Sequence, residues 1–432
     1  MLGFLFLGTL VSYFKSFFFF PIFLLFVSFY YLSSISSFFV SNLILGFFTD
    51  EYSLFLIVIT IFLLYISYLF TLYLGVDSSV NLTFSFILLC CFYVFCTDNM
   101  FYLYLFYEAS LVPILYIIIK WGSYADRALR SLILLLYTAV FTFPFLYFLF
   151  TAISSSGTSL FPLSYLYSSS LSRGFFTFII FLTFAVKLPI YGLHFWLPMA
   201  HVEAPTFGSI ILAGVLLKLG GIGLIRFSQF LSLPILLSFT LSYFMVGLVF
   251  ATTVCCFQAD FKRLVAYSSV RHIITIPFML LSFSTFSFKS IILVILFHGL
   301  SSPLLFMLVG VTYSIFSSRQ LLFMRGLGLL SPLLSLILIL AFFFTLSAPP
   351  FPSFFGEVFF MVSRWSLTPM IVVVLLVFAF LSLVYNLNWL SRIVFFKPTF
   401  ASQSYIFNYL SFLCMLTSII LGFLFMLLLT FF

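Results

Sequence analysis

Apolar residues run along this chain in long unbroken stretches, separated by short segments that hold charges, prolines or Ser/Gly clusters. A membrane-crossing helix needs about 20 such residues. Dividing the chain at those segments predicts fourteen helices, over residues 2–14, 17–35, 54–74, 80–97, 99–119, 130–151, 174–197, 206–225, 233–257, 263–283, 289–314, 328–361, 369–391 and 407–431. Strands of a transmembrane barrel would alternate polar and apolar positions, and stretches such as Leu54–Leu74 and Ile210–Leu217 do not. The pattern therefore predicts an all-α polytopic membrane protein. Its twelfth stretch is too long for one span and contains Pro349, Pro350 and Pro352, so it reads as two half-helices around an unwound middle. The seventh carries Pro189, Gly192 and Pro198 within twelve residues. Irregular backbone at that depth persists only where protein or a water-filled cavity satisfies it. The two broken spans lie five apart, and a repeat of five spans reverses its orientation in the membrane. The expected organisation is one membrane domain over 1–432, with N-terminal spans in 1–79, inverted five-helix halves in 80–225 and 233–391, and a last span in 407–431.

Composition removes the other classes. Of 432 residues, 65% are hydrophobic and 6% charged, against about 45–50% and 25% in soluble domains. So few charges cannot cover a soluble surface, and disorder requires the opposite composition. The 70 phenylalanines have no chemical necessity over leucine in lipid and suggest a biased, compact organelle genome. No cleavable presequence is expected, because apolar sequence begins at once with only Lys15 early on. The net charge of +8 is scattered rather than clustered with aromatics, which speaks against nucleic acid.

Topology explains that charge better. Loops after odd-numbered spans contain ten basic residues: Lys15, Lys120, Arg127, Arg130, Lys262, Arg263, Arg319, Arg325, Arg392 and Lys397. Loops after even-numbered spans contain four: Arg173, Arg226, Lys289 and Arg364. The excess places odd loops inside and both termini outside. The six cysteines lie in or beside apolar runs and form no CxxC pair, so no metal or iron–sulfur site is expected.

Ionisable groups deep in apolar spans are the candidates for chemistry, since each costs a few kcal/mol to insert. Glu108 lies ten residues after Asp98 and twelve before Lys120, roughly 15–18 Å from either end of its span. A short side chain cannot reach water from there. Lys187 follows twelve uncharged residues, and Lys218 lies eight before Arg226, within snorkelling reach of an interface. Glu357 follows the second break and could instead cap its half-helix or pair with Arg364. His298 and His272 lie in apolar spans, where a lone histidine is commonly a satisfied core residue, although imidazole suits proton transfer.

Longer motifs surround these residues. They are FYEASLVP at 106–113, KWG at 120–122, FAVKLPIYGLHFWLPMAHVEAP at 184–205, LLKLGG at 216–221, DFKRLVAYSS at 260–269, HGLSS at 298–302 and Gly356-Glu357. In this order they resemble the chain 4 family of mitochondrial NADH–ubiquinone oxidoreductase, an antiporter-like membrane subunit of respiratory complex I. The resemblance implies inverted repeats over spans 4–8 and 9–13. It also implies a proton relay made of an interacting Glu108–Lys187 pair, then Lys218 and His298, with Glu357 leading to the other side; His201 and His272 are secondary members. Departures are Arg271, where a small residue is expected, Met199, where Lys is expected, and Pro303, which is expected to kink its span.

The implied function is proton translocation coupled to quinone reduction elsewhere. The chain would carry no cofactor of its own, with NADH, flavin, iron–sulfur clusters and ubiquinone held by other parts. Expected partners are other complex I membrane subunits, including neighbouring antiporter-like ones, and membrane lipids. The expected location is the mitochondrial inner membrane, with both termini in the intermembrane space. The alternatives are a stand-alone multisubunit cation/proton antiporter, which would share the relay, and a scaffold, which would not need it.

Overall fold

A computed structural model describes residues 51–77, 79–161, 173–230, 233–281, 284–349, 351–365, 369–396 and 409–428. The spans predicted at 2–14 and 17–35 lie outside the described residues, as do Lys15 and Lys397. The helices are α1 (Glu51–Tyr73), α2 (Val80–Cys96), α3 (Met100–Ala109), α4 (Leu111–Trp121), α5 (Arg127–Ser156), α6 (Arg173–Lys187), α7 (Trp196–Glu203), α8 (Thr206–Ile211) and α9 (Leu217–Arg226). They continue as α10 (Leu233–Phe257), α11 (Phe261–Leu280), α12 (Thr285–Phe316), the short α13 (Leu327–Leu330), α14 (Pro332–Thr345), α15 (Ser353–Trp365), α16 (Pro369–Phe395) and α17 (Tyr409–Leu428). Among the described residues, six helices are long and apolar enough to cross a membrane, Met100–Trp121, Thr206–Arg226 and Thr285–Phe316 among them. The protein is a multi-pass, all-helical membrane protein.

The chain forms two compact units. One holds Met1–Leu188 and Glu203–Ile235; the other holds Pro189–Val202 and Leu236–Phe432. In the first, α1 packs on α2 and α8, α5 packs on α6, and α9 packs on α6 and α2. In the second, α12 is the centre, packed by α11, α14, α15 and α17 and buried along nearly its whole length. Pro303 does not interrupt that helix.

Interruptions occur where sequence removes a backbone bond. Pro113 has no N–H to give to the Ala109 carbonyl, and the fifth span divides at Ser110 into α3 and α4, directly after Glu108. The seventh span stops at Lys187, since the residue before Pro189 disfavours helical backbone. The turn that follows bonds to itself: Leu193 N–H donates to the Ile190 carbonyl at 2.9 Å and Gly192 N–H donates to His194 Nδ1 at 3.1 Å. Gly192 has φ +90°, and a Cβ there would meet the Tyr243 hydroxyl at 2.6 Å; both facts demand glycine. Helix α7 then runs on to Glu203, beyond the predicted end at 197. Its Val202 carbonyl accepts from Lys262 Nζ at 3.4 Å and from Arg319 at 3.3 Å, cations well placed for a helix C-terminus.

Two short clasps join helix ends. Asn99 pairs with Leu160 as an isolated antiparallel bridge, and Asp260 pairs with Gln320 in the same way. In the first, Met100 N–H donates to Ser159 and Phe161 N–H to Asp98; in the second, Phe261 donates to Arg319 and Leu321 to Ala259. The second clasp repeats the first some 161 residues later in the chain.

Candidate functional site: buried charges at three helix interruptions

In the first unit, Lys187 caps the end of α6 and is 1% exposed. Its Nζ lies 3.4 Å from Glu108 Oε1, donates to the Tyr107 carbonyl at 2.9 Å and sits 3.0 Å from the centre of the Tyr107 ring. Glu108 is 26% exposed, at the last turn of α3 before the Ser110 interruption. The predicted pair is thus in contact. Tyr107, which supplies both a carbonyl and a ring face to the ammonium, was not foreseen. Its one sequence signal is its place beside Glu108.

Lys218 opens α9 and is 3% exposed. Between α8 and α9 the helix widens by one turn over Leu212–Leu216. Such a turn changes the carbonyl partners along the helix, and it is frequent at functional sites. Lys218 Nζ donates to the Ala213 carbonyl in it, at 2.9 Å. Two residues on, Gly220 lies against Lys187: a Cβ there would be 3.3 Å from Lys187 Cβ. The helices carrying the two lysines therefore touch through a glycine.

The second unit gathers His272, His298 and Glu357. The two imidazoles lie 5.8 Å apart, centre to centre. Both histidines, with Ser301, Ser347, Ser353 and Glu357, line a cavity of about 20 Å³, enough for one water. The break between α14 and α15 supplies the polar wall. Ser347, at φ +55°, donates its hydroxyl to Glu357 Oε1 at 2.7 Å. The Ser353 hydroxyl donates to the Phe344 carbonyl at 3.1 Å. The Thr345 carbonyl accepts from Arg271 at 2.9 Å and lies 3.0 Å from His272 Nε2, and Arg271 also contacts the His272 ring. Glu357 and Ser347 also line a larger, mainly apolar cavity of about 350 Å³ along α15 and α16.

His201 is fully buried in the second unit and stacks on Phe306, ring centres 4.5 Å apart. It does not line the His272–His298 cavity. Ser347 and Thr345 are the partners that sequence reasoning missed here, and Arg271 was marked only as a departure from the family pattern. The two prolines after Ala348 announced the break, but not which side chains would answer its carbonyls. Among the described residues no three His, Cys, Asp or Glu side chains gather as metal ligands.

Residues 97–383 match the family described as NADH:quinone oxidoreductase/Mrp antiporter, transmembrane. The chain belongs to this family. Glu108, Lys187, Lys218, His298 and Glu357 all fall inside the matched residues. Similar relatives include the NADH-ubiquinone oxidoreductase chain 4 of Albinaria caerulea, 34% identical over 73% of this chain and 71% of that protein. That of Locusta migratoria is 36% identical over 68% of this chain and 66% of that protein. A chain of respiratory complex I from Thermus thermophilus shares the fold, with a TM-score of 0.79 at 20% identity, over 93% of this chain and 90% of that one. So does a chain of an archaeal membrane-bound sulfane sulfur reductase, with a TM-score of 0.83 at 17% identity, over 99% and 93%.

Proposed function

We propose that this chain is a proton-translocating subunit of the membrane arm of NADH:ubiquinone oxidoreductase, driven by quinone reduction elsewhere in the complex. The observation that carries the reading is the buried contact between Lys187 and Glu108 at the end of a broken helix. Low dielectric disfavours the charged form of any group, and an opposite charge nearby favours it. Moving a carboxylate a few ångströms relative to Lys187 therefore changes how tightly the amine holds a proton. Each tenfold change is worth about 1.4 kcal/mol. Carrying one charge against 100 mV costs about 2.3 kcal/mol, so a change of a few tenfold steps suffices.

In this reading Lys187 is the switching group and Glu108 the charge that switches it. Lys218 and His298 continue the relay, Glu357 delivers the proton, and His201 and His272 line the route. The recurrence of the clasps 161 residues apart supports two five-helix repeats over 80–225 and 233–391, with breaks in each. Fourteen spans in one domain, both termini in the intermembrane space, and the mitochondrial inner membrane complete the proposal. Redox centres would belong to other subunits, and neighbouring antiporter-like subunits and lipids would be the partners. A free-standing antiporter would share the relay, but the relatives at 33–36% identity carry the chain 4 name.

Co-migration separates those two. Detergent-solubilised membranes should yield this chain in an NADH-oxidising assembly. Recovery only in an assembly without NADH oxidation would reject the reading.

A further inference from the structure

Arg271 carries a buried charge that the relay does not use. It is 1% exposed, among the largest fully buried side chains, and guanidinium stays protonated at any relevant pH. A buried cation is strongly destabilising unless something compensates it. Two kinds of compensation are in place. The Thr345 carbonyl at the C-terminal end of α14 accepts its N–H at 2.9 Å, where the helix dipole is negative. The Phe378 and Tyr385 rings face it at 5.1 and 5.7 Å, distances that suit cation–π attraction. Neither supplies a formal negative charge. The second unit contains two side-chain carboxylates in its sequence, Asp260 and Glu357. Asp260 is taken at the surface by Arg263, at 3.3 Å. Glu357 remains. It is held by Ser347, two residues beyond the carbonyl that Arg271 grips.

We propose that Arg271 is a positioning residue of the relay: a permanent cation, pinned to the Thr345 carbonyl, that serves as counter-charge to the Glu357 carboxylate whenever it is ionised and holds the Ser347 turn against it. The pairing is indirect, through the Thr345–Ser347 turn rather than by a salt bridge. A direct bidentate bond would occupy both carboxylate oxygens. The indirect arrangement leaves Glu357 able to accept a proton from the cavity it shares with His298 and to release it on the side of the larger cavity. The neighbouring imidazole of His272 touches both the guanidinium and its carbonyl.

The inference rests on the relay reading, and the test separates the two. Protons moved per NADH oxidised are measured in assembled complexes in sealed membrane vesicles, together with the amount of complex assembled. The variants are Arg271→Lys, Arg271→Gln, Arg271→Met, Glu357→Gln, the Arg271→Met/Glu357→Gln double variant, and Lys187→Ala. Arg271→Lys, which keeps the charge, is expected to retain most pumping. Arg271→Gln still donates to the Thr345 carbonyl but carries no charge, and is expected to lose pumping on the order of fivefold or more. A purely structural bond predicts the opposite, so wild-type pumping in Arg271→Gln overturns the proposal. If Arg271→Gln assembles too poorly to assay, the assembly measurement decides. Arg271→Met leaves Glu357 without its counter-charge and lowers assembly, and adding Glu357→Gln restores it if the two charges balance each other. No restoration overturns the proposal. Lys187→Ala serves the underlying reading: wild-type pumping there rejects the relay itself, whereas lost pumping there beside normal Arg271→Gln rejects Arg271 alone.

Discussion

Lys187 and Glu108 show how much a single buried contact demands. The ammonium has a carbonyl, a ring face and a carboxylate around it, so it is held without being locked into one ion pair. Lys187→Ala should remove most NADH-driven pumping in assembled complexes. Lys187→Arg should do the same despite keeping the charge, because guanidinium cannot release its proton. Glu108→Gln should impair pumping by removing the switching charge, with Glu108→Asp retaining part of it. A structural ion pair behaves differently: breaking it costs about 3–5 kcal/mol and would deplete the complex instead of uncoupling it, and immunoblots of the assembled complex tell the two apart. The depth of both residues was readable from the distance to the next charge in sequence. Tyr107 and the Ala213 carbonyl were not, since a backbone acceptor leaves no mark in the residue types and the widened turn at Leu212–Leu216 has no distinctive composition.

At the scale of elements, proline placement made the interruptions legible, and contact chemistry decided what they became. Pro189 and Gly192 marked one break, and Pro349 with Pro350 the other. The sequence pattern ended the seventh span at 197, yet α7 continues to Glu203, because Lys262 and Arg319 meet its final turn from segments remote in sequence. Small residues set the helix approaches. A Cβ at Gly223 would fall inside the Phe184 ring, so Gly223→Val should destabilise by about 1–3 kcal/mol through overpacking, read as a lower melting temperature of the purified complex. Ser347→Ala removes the hydroxyl bound to Glu357. It should cost about 1–3 kcal/mol by leaving a buried acceptor short of a partner and should reduce pumping more than assembly. Equal loss of both would assign Ser347 to folding alone.

At the scale of the whole molecule, charge asymmetry between loops predicts the orientation. Impermeant labelling should find the segment Lys120–Arg130 on the inner face and the C-terminus on the outer face. Labelling of both on one face would reject the topology. The helical class and the broken spans follow from apolar run length and proline. The partition into units does not, because it depends on which helices share neighbours. Nothing in residues 189–202 themselves says that they pack with helices more than thirty residues downstream.

That partition has a consequence for synthesis. When translation has reached Ile235 the first unit has all its residues, but Pro189–Val202 belongs with residues not yet made. This excursion carries His194 and His201, two polar rings that would meet lipid or an insertion factor before their packing partners emerge. A chain truncated near Ile235 should therefore show these fourteen residues reactive to thiol probes at introduced cysteines, and the full-length chain should shield them. The seventh span's second half would have to stay sheltered for as long as the next helices take to arrive.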